Sequence, residues 1–263
     1  MKHFWTRFLS GLLYASLMTT TVFYSNFYFK VLISILSIIV LKEYYKLINQ
    51  KYYFFFLVVL FFIWTPKNLI NYNYLIITTC FVSFISSIYC TILLFFNKDF
   101  KNSKINVLFT LLYITTSYFF MVRIHEHGTV FSPLYLFLFF SSTWVNNIFA
   151  YLIGSNFGKN KILEEISPNK SWEGFFGGTI FTLLASYIIT NHFTIFSIYN
   201  PITISLFIPF TATTGDFIES YYKREAKVKD SGNLLPGHGG ILDRMDAFMI
   251  TIPILYIYIN YII

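Results

Sequence analysis

Residues 72–96 read YNYLIITTCFVSFISSIYCTILLFF, twenty-five consecutive positions without a charge. Coiled as a helix the run is about 37 Å long, enough for the roughly 30 Å hydrocarbon core of a bilayer. It also far exceeds the roughly 10 residues of a membrane barrel strand. Working outward, further apolar stretches lie at 8–24, 28–41, 52–65, 105–121, 131–153, 174–191, 199–218 and 241–263. Of the 263 residues, 56% are hydrophobic, 22% aromatic and only 12% charged, about half the charge of a soluble domain. A water-soluble domain, a disordered chain and a disulfide scaffold are excluded. Cys80 and Cys90 share one apolar run without CxxC spacing, which supports neither a disulfide nor a zinc site. The expectation is an all-α polytopic membrane protein with about nine transmembrane helices, forming one integral membrane domain over 1–263. The second and third runs are short for a bilayer. Lys2 and Arg7 precede the first run, but no small-residue cleavage site follows, so an uncleaved anchor is expected.

The charges orient these spans. Lys2 and Arg7; Lys42, Lys46 and Lys51; Lys98, Lys101 and Lys104; Lys159, Lys161 and Lys170; and Lys223, Arg224, Lys227 and Lys229 fall at the N-terminus and in every second loop after it. Only Lys30, Lys67 and Arg123 fall on the other side, and Arg244 lies in the last run. By the positive-inside rule the N-terminus is cytoplasmic. The net charge of +7 is thus a topology signal, with anionic lipid within reach, and no nucleic-acid footprint. In a bacterium the membrane would be the cytoplasmic (inner) one.

The acids follow another rule. Nine of the twelve Asp and Glu residues lie at or after Glu164, and six lie between Asp216 and Asp246. Ionisable groups around membrane spans are costly and point to function by default. Residues 1–130 therefore read mainly as scaffold and 131–263 as the catalytic half, with cytoplasmic loops at 154–172 and 217–240.

The densest segment is Ser220–Asp246, SYYKREAKVKDSGNLLPGHGGILDRMD, entered past Asp216 and Glu219 at the membrane edge. Lys223, Arg224, Lys227 and Lys229 form a cationic cluster suited to a polyphosphate. Pro236-Gly237-His238-Gly239-Gly240 is a tight loop whose glycines allow backbone N–H groups close to an anion. Asp243 and Asp246, one helical turn apart, present carboxylates the same way. Hard oxygen ligands beside a phosphate cradle suit Mg²⁺, and Asp216 completes the set from the preceding span. Together these parts describe metal-assisted transfer at phosphorus, where positioning and charge neutralisation dominate.

This segment closely resembles the signature of phosphatidate cytidylyltransferases (CDP-diacylglycerol synthases): S, two residues, K-R, four residues, K-D, then L-P-x-H-G-G and D-R-x-D. Ser220, Lys223, Arg224, Lys229, Asp230, Gly232, Leu235, Pro236, His238, Gly239, Gly240, Asp243, Arg244 and Asp246 all fit it. Gly154–Lys159 and Ser167–Gly174 are similar to a second family segment, with weaker echoes at Arg7–Gly11 and Glu43-Tyr44-Tyr45. Asn147 departs, standing where the family usually has Asp; an amide can ligate through its carbonyl but adds no negative charge.

The resemblance implies condensation of CTP with phosphatidate to CDP-diacylglycerol and pyrophosphate, using Mg²⁺ with a second metal or a monovalent ion as options. It implies Asp216 and Asp243 as metal ligands, with Asp246 either a further ligand or a partner of one. Lys170, Lys223 and Arg224 would hold phosphates, with Ser167, Lys229, His238, Gly239, Gly240 and Arg244 on the substrate. The partners implied are CTP, phosphatidate and membrane lipid, with a homodimer as an option. Another CTP-dependent lipid transferase or a polyprenol kinase would carry similar parts. A transporter would place its acids along a midplane pathway, often with paired half-repeats, whereas these acids flank one cytoplasmic loop.

Other features have plain readings. Gly174 and Gly178 form a GxxxG that packs helices, and His125-Glu126-His127 is a polar outer loop. No Walker, GxGxxG or HExxH motif occurs.

Overall fold

The structure is a computed structural model that describes residues 2–50, 52–66, 72–96, 104–126, 132–193, 199–237 and 239–262. Lys51, Lys67, Lys98, Lys101, His127 and His238 lie outside the described residues. The order is α1 (Lys2–Tyr24), α2 (Asn26–Ile48), α3 (Phe54–Trp64), α4 (Tyr72–Phe96), α5 (Lys104–His125), α6 (Ser132–Phe157), α7 (Trp172–His192), α8 (Tyr199–Glu225), α9 (Leu242–Met249) and α10 (Thr251–Ile257). A π-helical turn, Tyr258–Ile262, follows. Among the described residues the fold is helical, with only two isolated bridges, Lys161–Ser171 and Leu235–Gly239. Four segments are long and apolar enough to cross a membrane: Asn73–Phe95, Lys104–His125, Pro133–Phe157 and Trp172–His192.

Each apolar run forms a helix, because backbone polar groups in hydrocarbon must be satisfied within the segment. Two runs differ from a simple span for identifiable reasons. At 11 residues, α3 is about 16 Å long, half the hydrocarbon thickness. Its last carbonyls, which a helix end leaves unpaired, receive the buried Arg123 guanidinium. Nη2 donates to Phe62 O at 2.8 Å and to Thr65 O at 2.8 Å. The last run divides into α9 and α10 at Pro253, which has no N–H for the Met249 carbonyl four residues earlier. Ser117 Oγ of α5 takes that carbonyl instead, at 2.6 Å.

Helix α5 lies at the centre, with Tyr118, Phe119 and Phe120 fully buried. Helices α6 and α7 pack through the GxxxG, as the spacing predicts: a Cβ on Gly174 would sit 2.6 Å from Ala150 O, and one on Gly178 would sit 2.8 Å from Asn146 Oδ1. Among the described residues the ion pairs gather at two ends. At one, Lys30, Arg123 and Glu126 form ion pairs, and His125 meets the Val22 carbonyl at 2.8 Å. The other end gathers Ser10 of α1, Glu43 of α2, the 158–171 loop, and the junction of α8 with α9.

Candidate active site

Asp216, Glu219, Ser220 and Lys223 share one face of α8 through i, i+3 and i+4 spacing. Ser220 Oγ donates to Asp216 Oδ1 at 3.3 Å, and Lys223 pairs with Glu219 one turn earlier. Opposite them, Asp246 of α9 is buried, and its Oδ1 accepts from Ala247 N at 2.7 Å. The helices meet so closely that a Cβ on Gly215 would overlap the Asp246 carbonyl. Ligand oxygens of Asp216, Glu219 and Asp246 all fall within 4.8 Å of one another.

Of the three acids the sequence nominates for a metal, Asp216 and Asp246 come together with Glu219. Asp243 stands one turn away with its oxygens engaged. Its Oδ1 takes Lys223 Nζ at 2.7 Å. Its Oδ2 takes Ser231 N at 3.0 Å, Ser231 Oγ at 2.9 Å and Gly240 N at 2.7 Å. Four donors use up the acceptor sites of a carboxylate. Asp243 thus organises the 231–240 loop and fixes Lys223. Gly239, with φ of 85°, is needed in this loop because a side chain there would also press on Asp243: its Cβ would lie 2.6 Å from Oδ2.

Lys223 spans Glu219 and Asp243. Burial alone would depress its ammonium, but the two carboxylates outweigh that and hold its pKa above the ordinary lysine range. Lys170 reaches the cluster from the 158–171 loop, its Nζ 2.5 Å from Asp216 Oδ2 and over the Phe217 ring. Ser167 sets the preceding turn, its carbonyl accepting from Lys170 N at 3.2 Å. Arg224 turns from the acids to the loop backbone, with Nε donating to Ile166 O at 3.1 Å. Lys229, Gly239 and Arg244 line a polar cleft of about 520 Å³ together with Asp230 and Pro236, a size within the roughly 300–1,000 Å³ of ligand sites. Gly240 directs its N–H to Asp243. Asn147 is exposed on α6, and its Oδ1 accepts from Asn146 Nδ2 at 3.3 Å.

The donor set fits a hard divalent cation. Three carboxyl groups crowd together here, and Glu219 Oε1 is buried without a hydrogen-bond partner, a costly state that a bound cation relieves. An all-oxygen donor set matches Mg²⁺ chemistry. The sequence places Glu219 at the membrane edge but assigns it no role; its i+3 spacing from Asp216 was the available signal. Glu43, 188 residues from Ser231, reaches the same loop: its Oε2 accepts from Ser231 Oγ at 3.2 Å.

A family model described as "Cytidylyltransferase family" matches residues 5–262. The chain is 34% identical over 156 residues to the phosphatidate cytidylyltransferase of Aquifex aeolicus (strain VF5), covering 59% of this chain and 57% of that protein. It is 46% identical over 115 residues to that of Bacillus subtilis (strain 168), covering 43% and 42%. Against that of Thermotoga maritima it is 38% identical over 157 residues, covering 56% of each. The matched stretch spans about half the length of these relatives.

Proposed function

Because the chain belongs to the cytidylyltransferase family, we propose that it transfers the cytidylyl group of CTP to phosphatidate, releasing pyrophosphate and leaving CDP-diacylglycerol in the membrane. One observation carries this reading: the Asp216–Glu219–Asp246 cluster, flanked by Lys170 and Lys223 and adjoining the cleft of Lys229 and Arg244. Buried acids beside cations suit a reaction between two phosphate anions, which repel unless charge is neutralised.

A phosphatidate oxygen attacks the α-phosphorus of CTP. The new P–O bond forms as the bond to the β-phosphate oxygen breaks, and pyrophosphate leaves with the electron pair. The nucleophile is already an anion, so no protein base or covalent intermediate is required. Asp216, Glu219 and Asp246 would hold Mg²⁺, which when bound supplies charge neutralisation and Lewis-acid polarisation at the phosphates. Lys170 and Lys223 hold phosphate oxygens in line, Lys223 being aimed by Asp243. Lys229 and Arg244 receive the triphosphate, while the 231–240 loop, pinned on Asp243, fixes the cleft wall. Arg224 positions the 158–171 loop and through it Lys170.

The site lies at the end that bears the α1 N-terminus and the cationic loops, so the reading places it at the cytoplasmic face of a bacterial inner membrane. The acyl chains remain in the bilayer beside a nine-span bundle, and a homodimer is compatible with this arrangement. The test is CDP-diacylglycerol formation by purified protein given labelled CTP, phosphatidate and Mg²⁺. Product with wild type, absent with EDTA or Asp246→Asn, supports the reading. Folded wild type that makes no product from phosphatidate overturns it, and product from another lipid phosphate redirects it to a different lipid transferase.

A further inference from the structure

Helix α9 carries Asp243 and Asp246, yet it begins without a cap of its own. Ile241 occupies the N-cap position and offers no side-chain acceptor, so the first N–H groups need a partner from elsewhere. Glu43, in the last third of α2, supplies it. Its Oε1 accepts from Ile241 N at 3.1 Å and its Oε2 from Leu242 N at 2.7 Å. Glu43 as a whole is 9% exposed, and the helix N-terminus favours its negative charge.

Glu43 also touches the site's inner network. The single proton of Ser231 Oγ faces two carboxylates, Glu43 Oε2 at 3.2 Å and Asp243 Oδ2 at 2.9 Å. A continuous line of contacts therefore runs from Glu43 through Ser231 to Asp243, then Lys223, then Glu219 of the acid cluster. Gly240 sits where the line crosses the backbone: a Cβ there would lie 2.5 Å from Glu43 Oε2.

We propose that Glu43 is a positioning residue for the reaction: from the otherwise scaffolding half of the chain it sets the start of α9 and, through Ser231 and Asp243, the placement of Lys223 and Glu219 at the metal cluster. The proposal rests on the cytidylyl-transfer reading above. Gln is the informative replacement. It keeps the shape but turns an N–H₂ toward a backbone N–H, so one of Ile241 and Leu242 loses its acceptor.

The full chain in detergent, as wild type, Glu43→Gln, Ser231→Ala and the double variant, is assayed for CDP-diacylglycerol formation across Mg²⁺ concentrations. Melting temperature is measured across the same Mg²⁺ series. A positioning role lowers kcat of Glu43→Gln about 10- to 100-fold, the range for residues that orient a metal's ligands, and raises the Mg²⁺ needed for half-maximal rate. Ser231→Ala shifts both quantities the same way, and the double variant loses less than the product of the single losses, as expected for one shared path. A lower melting temperature with unchanged kcat and Mg²⁺ requirement per folded molecule makes Glu43 merely structural and overturns the proposal. If Glu43→Gln does not fold, Ser231→Ala decides alone by the same criterion. If wild type makes no CDP-diacylglycerol, the cytidylyl-transfer reading fails by itself, and the Mg²⁺-induced rise in melting temperature then decides. A rise that needs more Mg²⁺ in Glu43→Gln supports the placement. Coincident curves, or no Mg²⁺ response in wild type, overturn it.

Discussion

Lys223 Nζ stands 2.7 Å from Asp243 Oδ1, which fastens the last turns of α8 to the first turn of α9. Both side chains are largely buried, at 11% and 7% exposure. Removing one partner leaves the other charged and under-compensated, a loss of about 3–5 kcal/mol for a buried pair. Asp243→Asn is expected to lower the melting temperature clearly and to abolish most CDP-diacylglycerol formation. Lys223→Met, which also strands Glu219, should do at least as much harm. An Asp243→Asn protein with wild-type melting and rate would remove the hub role assigned to Asp243.

On the proposed reading Glu219 and Asp246 hold the metal while Asp243 holds a loop, and the two kinds of acid respond differently to substitution. Glu219→Gln and Asp246→Asn are expected to raise the Mg²⁺ requirement and cut the rate by about 100-fold or more, as losses of charge stabilisation at a reacting centre do. Melting without Mg²⁺ should rise or stay level for Asp246→Asn, because a buried amide costs less than a buried carboxylate, whereas Glu219→Gln gives up the Lys223 ion pair and should melt lower. Titrating rate and melting temperature against Mg²⁺ in parallel checks both halves of the expectation.

Gly240→Ala tests the space between the carboxylates. The new methyl would sit 2.5 Å from Glu43 Oε2 and would also crowd the Ser231 hydroxyl. Neither neighbour can yield without losing a hydrogen bond, so about 1–3 kcal/mol of stability is expected to go, together with most of the activity. Thermal melting and turnover on one preparation suffice.

Ser117→Ala offers the contrasting case, far from the chemistry. It strands the Met249 carbonyl that Pro253 has already deprived of an N–H. A buried acceptor left alone costs about 1–3 kcal/mol, so the melting temperature should fall while kcat and the Mg²⁺ requirement hold. A change in kcat would mean that the bend between α9 and α10 itself tunes the site.

Much of the helical layout was legible because apolar length is a local property. The ends were not: α2 runs on past residue 41 through Lys42, Glu43 and Lys46, since a helix continues where hydropathy falls. The break in the final run was readable at Pro253. At the site, Asp216, Asp246, Lys170 and Lys223 converge from motifs that announce themselves in sequence. The division of labour between Asp243 and Glu219 was hidden, because i, i+3 spacing fixes a shared face but not which neighbour each carboxylate meets. Glu43 was harder still. In sequence it carried only a weak family echo, together with Tyr44 and Tyr45, and its partners Ile241 and Leu242 lie 198 and 199 residues further on.

The guanidinium seated on the end of α3 has a bearing on how the chain is made. The Phe62, Ile63 and Thr65 carbonyls precede Arg123 by 61, 60 and 58 residues. During synthesis the half-length α3 therefore emerges well before its terminal acceptors can be met. Until then those carbonyls depend on other partners such as water, and the contact between the third and fifth helices closes only once Arg123 has been made.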